Sequence, residues 1–211
     1  MNPIYHFCST LVRTVFSLLY RTSWHGLENV PRKGPLLIAS NHMSFFDPPL
    51  VGCSTRRDFH YLARESLMDN AFSAWLLPRI NVIPVNRESG KDARAVRQVL
   101  KALKDELGTV IFPEGTRSPD GELQEAKAGV GLLACRSKAQ VLPVRIFGSF
   151  EVFSRHQKIP KLHGKIHIVY GKCLHPEDYD PGPKTENRYK VAIERIMKTI
   201  AHLEVPEEKM V

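Results

Sequence analysis

Short apolar runs that end abruptly in polar loops, with helix-periodic segments between them, most restrict how this chain can fold. LLIAS (36–40) runs into NHMSFFD, VIPVN (82–86) ends at Arg87, and TVIF (109–112) delivers PEGTRS. QVLPVRIFG (140–148) and KIHIVYG (165–171) read as further strands, and DFHYLAR (58–64) alternates as a strand does. Residues 65–80 read as a helix broken at Pro78. From Lys91 to Leu107 the positions Ala93, Val96, Leu100, Leu103 and Leu107 keep helical spacing, with Gly108 as the C-terminal stop. Residues 127–137 and the end of the chain carry two more helices, while His25-Gly26 to Gly34-Pro35 is rich in turn formers. Strands alternating with helices predict an α/β fold, a largely parallel mixed sheet flanked by helices.

The 211 residues, 43% hydrophobic and 25% charged, are enough for one sizeable core. No internal repeat divides them, so residues 23–211 are expected to form one domain behind an N-terminal helix over 1–22. A net charge of +8 points to an anionic partner: nucleic acid, anionic lipid or a phosphorylated substrate. No basic run or nucleic-acid motif occurs, so no nucleic-acid partner is expected. Cys8, Cys53, Cys135 and Cys173 are scattered without a CxxC pair and read as reduced thiols rather than a disulfide frame or a metal site.

The most apolar stretch, PIYHFCSTLVRTVFSLLYR, is interrupted by His6 and Arg13, and a membrane span needs about 20 mostly apolar residues. A secretory signal would place its charges first and a small-residue cleavage site after, and this segment does neither. On a helical wheel Ile4, Phe7, Cys8, Leu11, Val12, Val15, Leu18 and Leu19 share one arc, opposite His6, Ser9, Thr10, Arg13, Ser17 and Arg21. Such a helix either packs its apolar arc on the protein core or lies in a membrane interface; the width of the arc and the basic opposite face favour the interface.

The segment NHMSFFDPP (41–49) places His42 and Asp47 five residues apart. In an α-helix that spacing turns them about 140° from each other, and in a strand it puts them on opposite faces. They meet only if residues 42–47 form a loop. Otherwise Asp47 caps a helix begun by Pro48, and His42 is a packed histidine. Functional residues of open α/β sheets collect after the carboxyl ends of strands. Three polar groups stand there in this sequence: His42 and Asp47; Arg87; and Glu114, Gly115, Thr116 and Arg117. Each has a plain reading, such as a surface arginine or a glycine in a turn, but their coincidence suggests a shared cleft. There is no GxSxG elbow, P-loop, GxGxxG or HExxH. His163 and His167 are spaced for a metal on a helix, yet Gly164 and the alternation of KIHIVYG predict a strand. A histidine–aspartate pair without a serine or cysteine nucleophile would activate a hydroxyl that the substrate brings.

NHMSFFD and FPEGTRS together resemble the NHxxxxD and FPEGTRS motifs of the glycerolipid acyltransferases, in particular the 1-acyl-sn-glycerol-3-phosphate acyltransferase family. VIPVNR and VLPVRI follow in the family's order, and the similarity runs from about Trp24 to Leu203. The chain departs from the pattern in having Asn86-Arg87 where an Asp-Arg pair is usual. It also has a single amphipathic helix where transmembrane helices are frequent. The resemblance implies transfer of a fatty acyl group from acyl-CoA or acyl carrier protein to the sn-2 hydroxyl of lysophosphatidate, without metal or cofactor, for phospholipid biosynthesis. His42 would be the general base and Asp47 its orienting carboxylate. Arg87 and Arg117 would hold the phosphate, Glu114, Gly115 and Thr116 would shape the acceptor pocket, and Lys127 would add charge. It further implies a location at the cytoplasmic face of the cell membrane, held by the N-terminal helix on anionic lipid. The alternatives are acylation of another lysophospholipid or of glycerol-3-phosphate, or a lipid-binding protein without activity.

Overall fold

The computed structural model describes residues 3–55, 57–85 and 93–207. Helix α1 (Pro3–Tyr20) leads into strand β1 (Ser23–His25), then β2 (Leu36–Ser40), helix α2 (Asp47–Gly52) and β3 (Phe59–Arg64). Next come α3 (Ala71–Arg79), β4 (Val82–Val85), α4 (Ala93–Lys104), β5 (Gly108–Ile111), α5 (Ala128–Ser137) and β6 (Gln140–Phe147). The chain closes with α6 (Ser149–Phe153), β7 (His167–Tyr170), α7 (Pro176–Tyr179) and α8 (Arg188–Ala201). The strands form one sheet in the order β1-β7-β6-β2-β5-β3-β4. Every neighbouring pair is parallel except β6 and β7. The α/β architecture with a largely parallel mixed sheet is therefore as the sequence predicts.

Strand β2 sits between β5 and β6, with Leu36 opposite both Gly108 and Gln140. All five of its residues are buried. Because side chains alternate across a strand, Leu37 and Ala39 face a cluster with Val99, Leu133 and Ile193, while Leu36 and Ile38 face a second with Phe16, Leu50 and Leu142. The first cluster is covered by α4, α5 and α8, the second by α1 and α2. In this register β2, β5 and β6 end along one edge of the sheet. That edge positions the site.

Several boundaries differ from the sequence reading, each for a physical reason. Gly108 is not the stop of α4. The helix ends at Lys104, and the left-handed turn falls on Glu106 (φ 58°). Gly108 instead begins β5, where a Cβ would come within 2.4 Å of the Phe59 ring. Strand β1 was hidden in a turn-rich stretch because its support is its pairing with β7 and not a pattern of its own. Residues 65–80 divide into a short 3-10 turn (Glu65–Met68) and α3, in which Pro78 is accommodated near the end.

Helix α1 docks by a stripe that the wheel did not single out. Tyr5, Phe16 and Tyr20 are buried. The Tyr5 hydroxyl pairs with that of Tyr61 at 2.8 Å, and Phe16 meets Phe46 edge-on at 4.8 Å. The arc of Phe7, Leu11, Val15, Leu18 and Leu19 faces outward, with Phe7 68% and Leu18 77% exposed. Among the described residues no helix is long and apolar enough to cross a membrane.

The contact between α5 and α8 depends on Gly131, where a Cβ would lie 1.9 Å from the Tyr189 carbonyl oxygen. Backbone cannot yield there as a flexible side chain would. Gly131→Ala should push α8 away from α5 and cost roughly 1–3 kcal/mol, the usual penalty of overpacking. A urea melt reads this directly, and an unchanged midpoint would show that the two helices separate freely.

Candidate active site

The loop after β2 answers the question of spacing. Residues 41–46 are irregular, which lets the chain turn back so that His42 Nδ1 lies 2.9 Å from Asp47 Oδ2. Asp47 is the first residue of α2, and its carboxylate does not cap that helix. It has little to cap, because Pro48 and Pro49 carry no N–H. Oδ2 instead accepts from the Met43 and Ser44 backbone N–H groups, both at 2.6 Å, while Oδ1 accepts from the Ser149 hydroxyl at 2.8 Å. Asp47 is fully buried, and the side chain of His42 is 13% exposed.

These bonds fix the imidazole. A carboxylate is an acceptor only, so the ring must carry its proton on Nδ1 and present a lone pair at Nε2. The ring is held flat against Phe112, with centroids 4.1 Å apart and planes 24° apart. Among the described residues no side chain bonds Nε2. The nearby hydroxyls are engaged elsewhere: that of Ser44 donates to the Phe153 carbonyl at 2.8 Å and that of Ser149 to Asp47. Burial pushes the Cys53 thiol up to about 12, so it has little thiolate at neutral pH. The arrangement can take a proton from a bound hydroxyl and supplies no nucleophile of its own.

The loop after β5 is stitched to this histidine from both sides. The His42 backbone N–H donates to Glu114 Oε1 at 3.2 Å, and the His42 carbonyl accepts from the Ser118 N–H at 2.7 Å. Gly115 has φ 70°, and the stem of Lys127 lies against it; a Cβ there would come within 2.9 Å of Lys127 Cε. The Lys127 backbone N–H donates to the Pro113 carbonyl at 2.9 Å, which keeps the start of α5 beside the loop. The Arg117 guanidinium stacks on the Phe45 ring, 3.3 Å from its centroid, and Thr116 is exposed at the rim. Beside Phe112, Gly115 and Lys127 opens a pocket of about 280 Å³, lined mainly by apolar side chains that include Leu62, Val96, Val99 and Leu133. The sequence-predicted residues His42, Asp47, Glu114, Gly115, Thr116, Arg117 and Lys127 thus gather at one edge of the sheet. Arg87 lies outside the described residues.

Two contributors were missed in the sequence. Asn41 uses its amide to extend β2 by one rung: Oδ1 accepts from the Ile146 N–H at 2.7 Å and Nδ2 donates to the Ile146 carbonyl at 3.0 Å. It stands beside His42 in the quoted motif, so it was there to be found. Ser149 stands 102 residues from Asp47, directly after Gly148 (φ 78°), and no local signal marks it. His167, considered with His163 for a metal, lies in β7, where its Nδ1 is 2.7 Å from the Ser23 hydroxyl and its ring stacks on His25.

Glu114 is 2% exposed, and its buried Oε2 has no partner within hydrogen-bond geometry among the described residues. Burial pushes its carboxyl up to about 7, opposed by the bonds from the His42 and Gln124 backbone and reinforced by the nearby Asp47 charge. A carboxyl raised from 4.5 to about 7 binds protons in the folded chain that the unfolded chain has released. Stability therefore falls as pH rises through that window. Glu114→Gln keeps the bond from His42 and removes the buried charge. Its melting temperature should exceed that of the wild type at pH 8, with a stability gain of up to about 3 kcal/mol, and the two should converge below pH 4.5. Parallel curves across the window would mean that Glu114 stays ionised throughout.

A family model described as Acyltransferase matches residues 21–147, a span that includes His42, Asp47, Glu114, Arg117 and Lys127 and ends just before Ser149. The 1-acyl-sn-glycerol-3-phosphate acyltransferase of Bacillus subtilis is 27% identical over 202 residues, covering 95% of this chain and 97% of that protein. The chloroplast 1-acyl-sn-glycerol-3-phosphate acyltransferase of Arabidopsis thaliana is 25% identical over 182 residues. That alignment covers 85% of this chain but only 51% of the plant protein, so the chain spans about half the length of such relatives. The crystal structure of the 1-acyl-sn-glycerophosphate acyltransferase from Thermotoga maritima superposes with a TM-score of 0.77 at 24% identity, covering 93% of this chain and 78% of the other, a likeness of fold.

Proposed function

We infer the function from one premise: the chain belongs to the acyltransferase family. It transfers a fatty acyl group from an acyl thioester to the sn-2 hydroxyl of 1-acyl-sn-glycerol 3-phosphate, giving phosphatidic acid. The observation that carries this reading is the His42–Asp47 pair, with no side chain on Nε2 and no activated nucleophile beside it among the described residues. Nε2 takes the hydroxyl proton as the acceptor oxygen attacks the thioester carbonyl. The tetrahedral intermediate collapses, the carbon–sulfur bond breaks, and the departing thiolate recovers the proton from the imidazolium. Asp47 stabilises the imidazolium without itself being protonated. No acyl-enzyme forms, because a thioester is already activated and needs chiefly a base and correct positioning. The donor is acyl-CoA or acyl carrier protein, and no cofactor takes part.

Arg117 and Lys127 draw the acceptor phosphate to the mouth of the site. A guanidinium fork matches phosphate oxygens, and Phe45 holds this one in place. Arg87 adds a second guanidinium from the segment after β4. Glu114, Gly115 and Thr116 shape the acceptor pocket, and the apolar pocket beside Phe112 suits an acyl chain. The outward apolar arc of α1 lies in the lipid interface at the cytoplasmic face of the membrane, where the acceptor resides.

Purified protein given labelled acyl donors and a panel of acceptors, with products identified by mass spectrometry, tests the reading. His42→Ala should lower the rate ~10²–10⁴-fold while the fold persists. Turnover near that of the wild type would remove His42 from the mechanism. Arg117→Ala should raise the KM for lysophosphatidate, since a bond to a charged group is worth roughly 1.5–3 kcal/mol. The effect should shrink for an acceptor without phosphate. Equal losses on both acceptors would make Arg117 a structural residue.

A further inference from the structure

Between α6 and β7 the chain makes an excursion, residues 154–166, that the mechanism does not use. Its sequence, SRHQKIPKLHGKI, contains no acidic residue. The turn is built rather than loose. The Ser154 N–H donates to Gln157 Oε1 at 2.6 Å, and the Lys161 N–H returns to the Val152 carbonyl at 3.0 Å. On it stand Ile159, 78% exposed, and Leu162, 75% exposed. Arg155, Lys158, Lys161 and Lys165 surround them, all exposed, and none has an ion pair among the described residues. A large apolar side chain left in water is ordinary when single. Two, three residues apart on a held turn and ringed by bases, make a surface.

The ends of the turn give it a direction. At its start His156 Nε2 lies 2.9 Å from the Pro119 carbonyl oxygen, and Arg155 Nη1 donates to the Arg117 carbonyl at 3.4 Å. Both partners belong to the loop that carries the acceptor-binding residues. At its far end the Ile166 N–H donates to the Tyr20 carbonyl at 3.3 Å, at the foot of α1, where Leu18 and Leu19 are exposed. Phe153, just before the turn, packs on Phe45 and Phe46 beside the His42 loop. The turn therefore bridges the mouth of the site and the C-terminal end of α1.

We propose that residues 155–165 form a second membrane contact, in which Ile159 and Leu162 enter the headgroup layer of an anionic bilayer and the surrounding bases hold its phosphates. This rests on the reading of the chain as an acyltransferase working on a lipid acceptor. Two exposed apolar tips fit penetration of a headgroup layer, and the bases around them, with Glu151 the one acid beside Lys161 and Lys165, fit an anionic surface. Continuity with the α1 face favours lipid over an acidic protein. With α1 on one side and this turn on the other, the opening beside His42 is set against the leaflet.

The test compares the wild type, Ile159→Glu/Leu162→Glu and Lys158→Ala/Lys161→Ala by co-sedimentation. The probes are phosphatidylcholine vesicles and mixed phosphatidylcholine–phosphatidylglycerol vesicles. The lysine pair should lower partitioning onto the mixed vesicles about 30-fold and leave the neutral ones unaffected. The glutamate pair should lower it about tenfold or more on both. Both variants should keep the wild-type melting temperature and the wild-type transfer rate to acceptor dispersed in detergent. If the glutamate pair melts early, Ile159→Ser/Leu162→Ser takes its place. Wild-type partitioning by both pairs overturns the proposal. So does unchanged partitioning together with a raised KM for acyl carrier protein alone, which would give the surface to an acidic protein. A wild type that transfers no acyl group would instead defeat the reading of the function, while the partitioning comparison still decides the role of the turn.

Discussion

The buried carboxylate of Asp47 organises this edge of the protein. It accepts from the His42 ring, from the Met43 and Ser44 backbone and from Ser149, and so joins the loop after β2 to the start of α6. A carboxylate taken out of water is costly unless its lone pairs are satisfied, and here every donor is supplied by chain that it also holds in place. The same bonds that make its burial tolerable set the histidine tautomer. Holding the loop together and orienting the ring are one demand on Asp47.

Glu114, bonded to the backbone of the same histidine, shows the opposite solution. Its Oε1 is bonded and its Oε2 is not, so desolvation dominates and the proton is held up to about 7. Two buried carboxyls beside one histidine are kept apart in character by how many donors each receives. Asp47 receives donors on both oxygens, whereas the Glu114 carboxyl is pushed up to about 7.

The sheet explains why these loops meet at all. Parallel strands β5, β2 and β6 end on one edge, so residues far apart in the chain arrive together, with the apolar pocket below them and the basic rim above. The basic turn before β7 meets that same edge through Arg155 and reaches the end of α1 through Ile166.

Much of this was legible in the chain itself. Apolar runs broken by polar loops fix the α/β layering, because each run must be buried and each loop must reach water. The NHMSFFD and PEGTRS stretches carry the residues that gather at the site, since local sequence decides which side chains a loop offers. Sequence could not decide whether His42 and Asp47 touch, because five residues apart is a contact only in an irregular loop, and that loop is held by Ser149, 102 residues on, after the neighbouring strand β6. Nor could it assign the faces of α1. The wheel shows one apolar arc, but Tyr5, Phe16 and Tyr20 dock because aromatic partners at Tyr61 and Phe46 await them, leaving the aliphatic arc outside. Gly108 read as a helix stop when it is the space that the Phe59 ring fills. What depends on neighbours in the chain was determined by the sequence alone. What depends on neighbours in space was decided by the packing of the sheet and its helices.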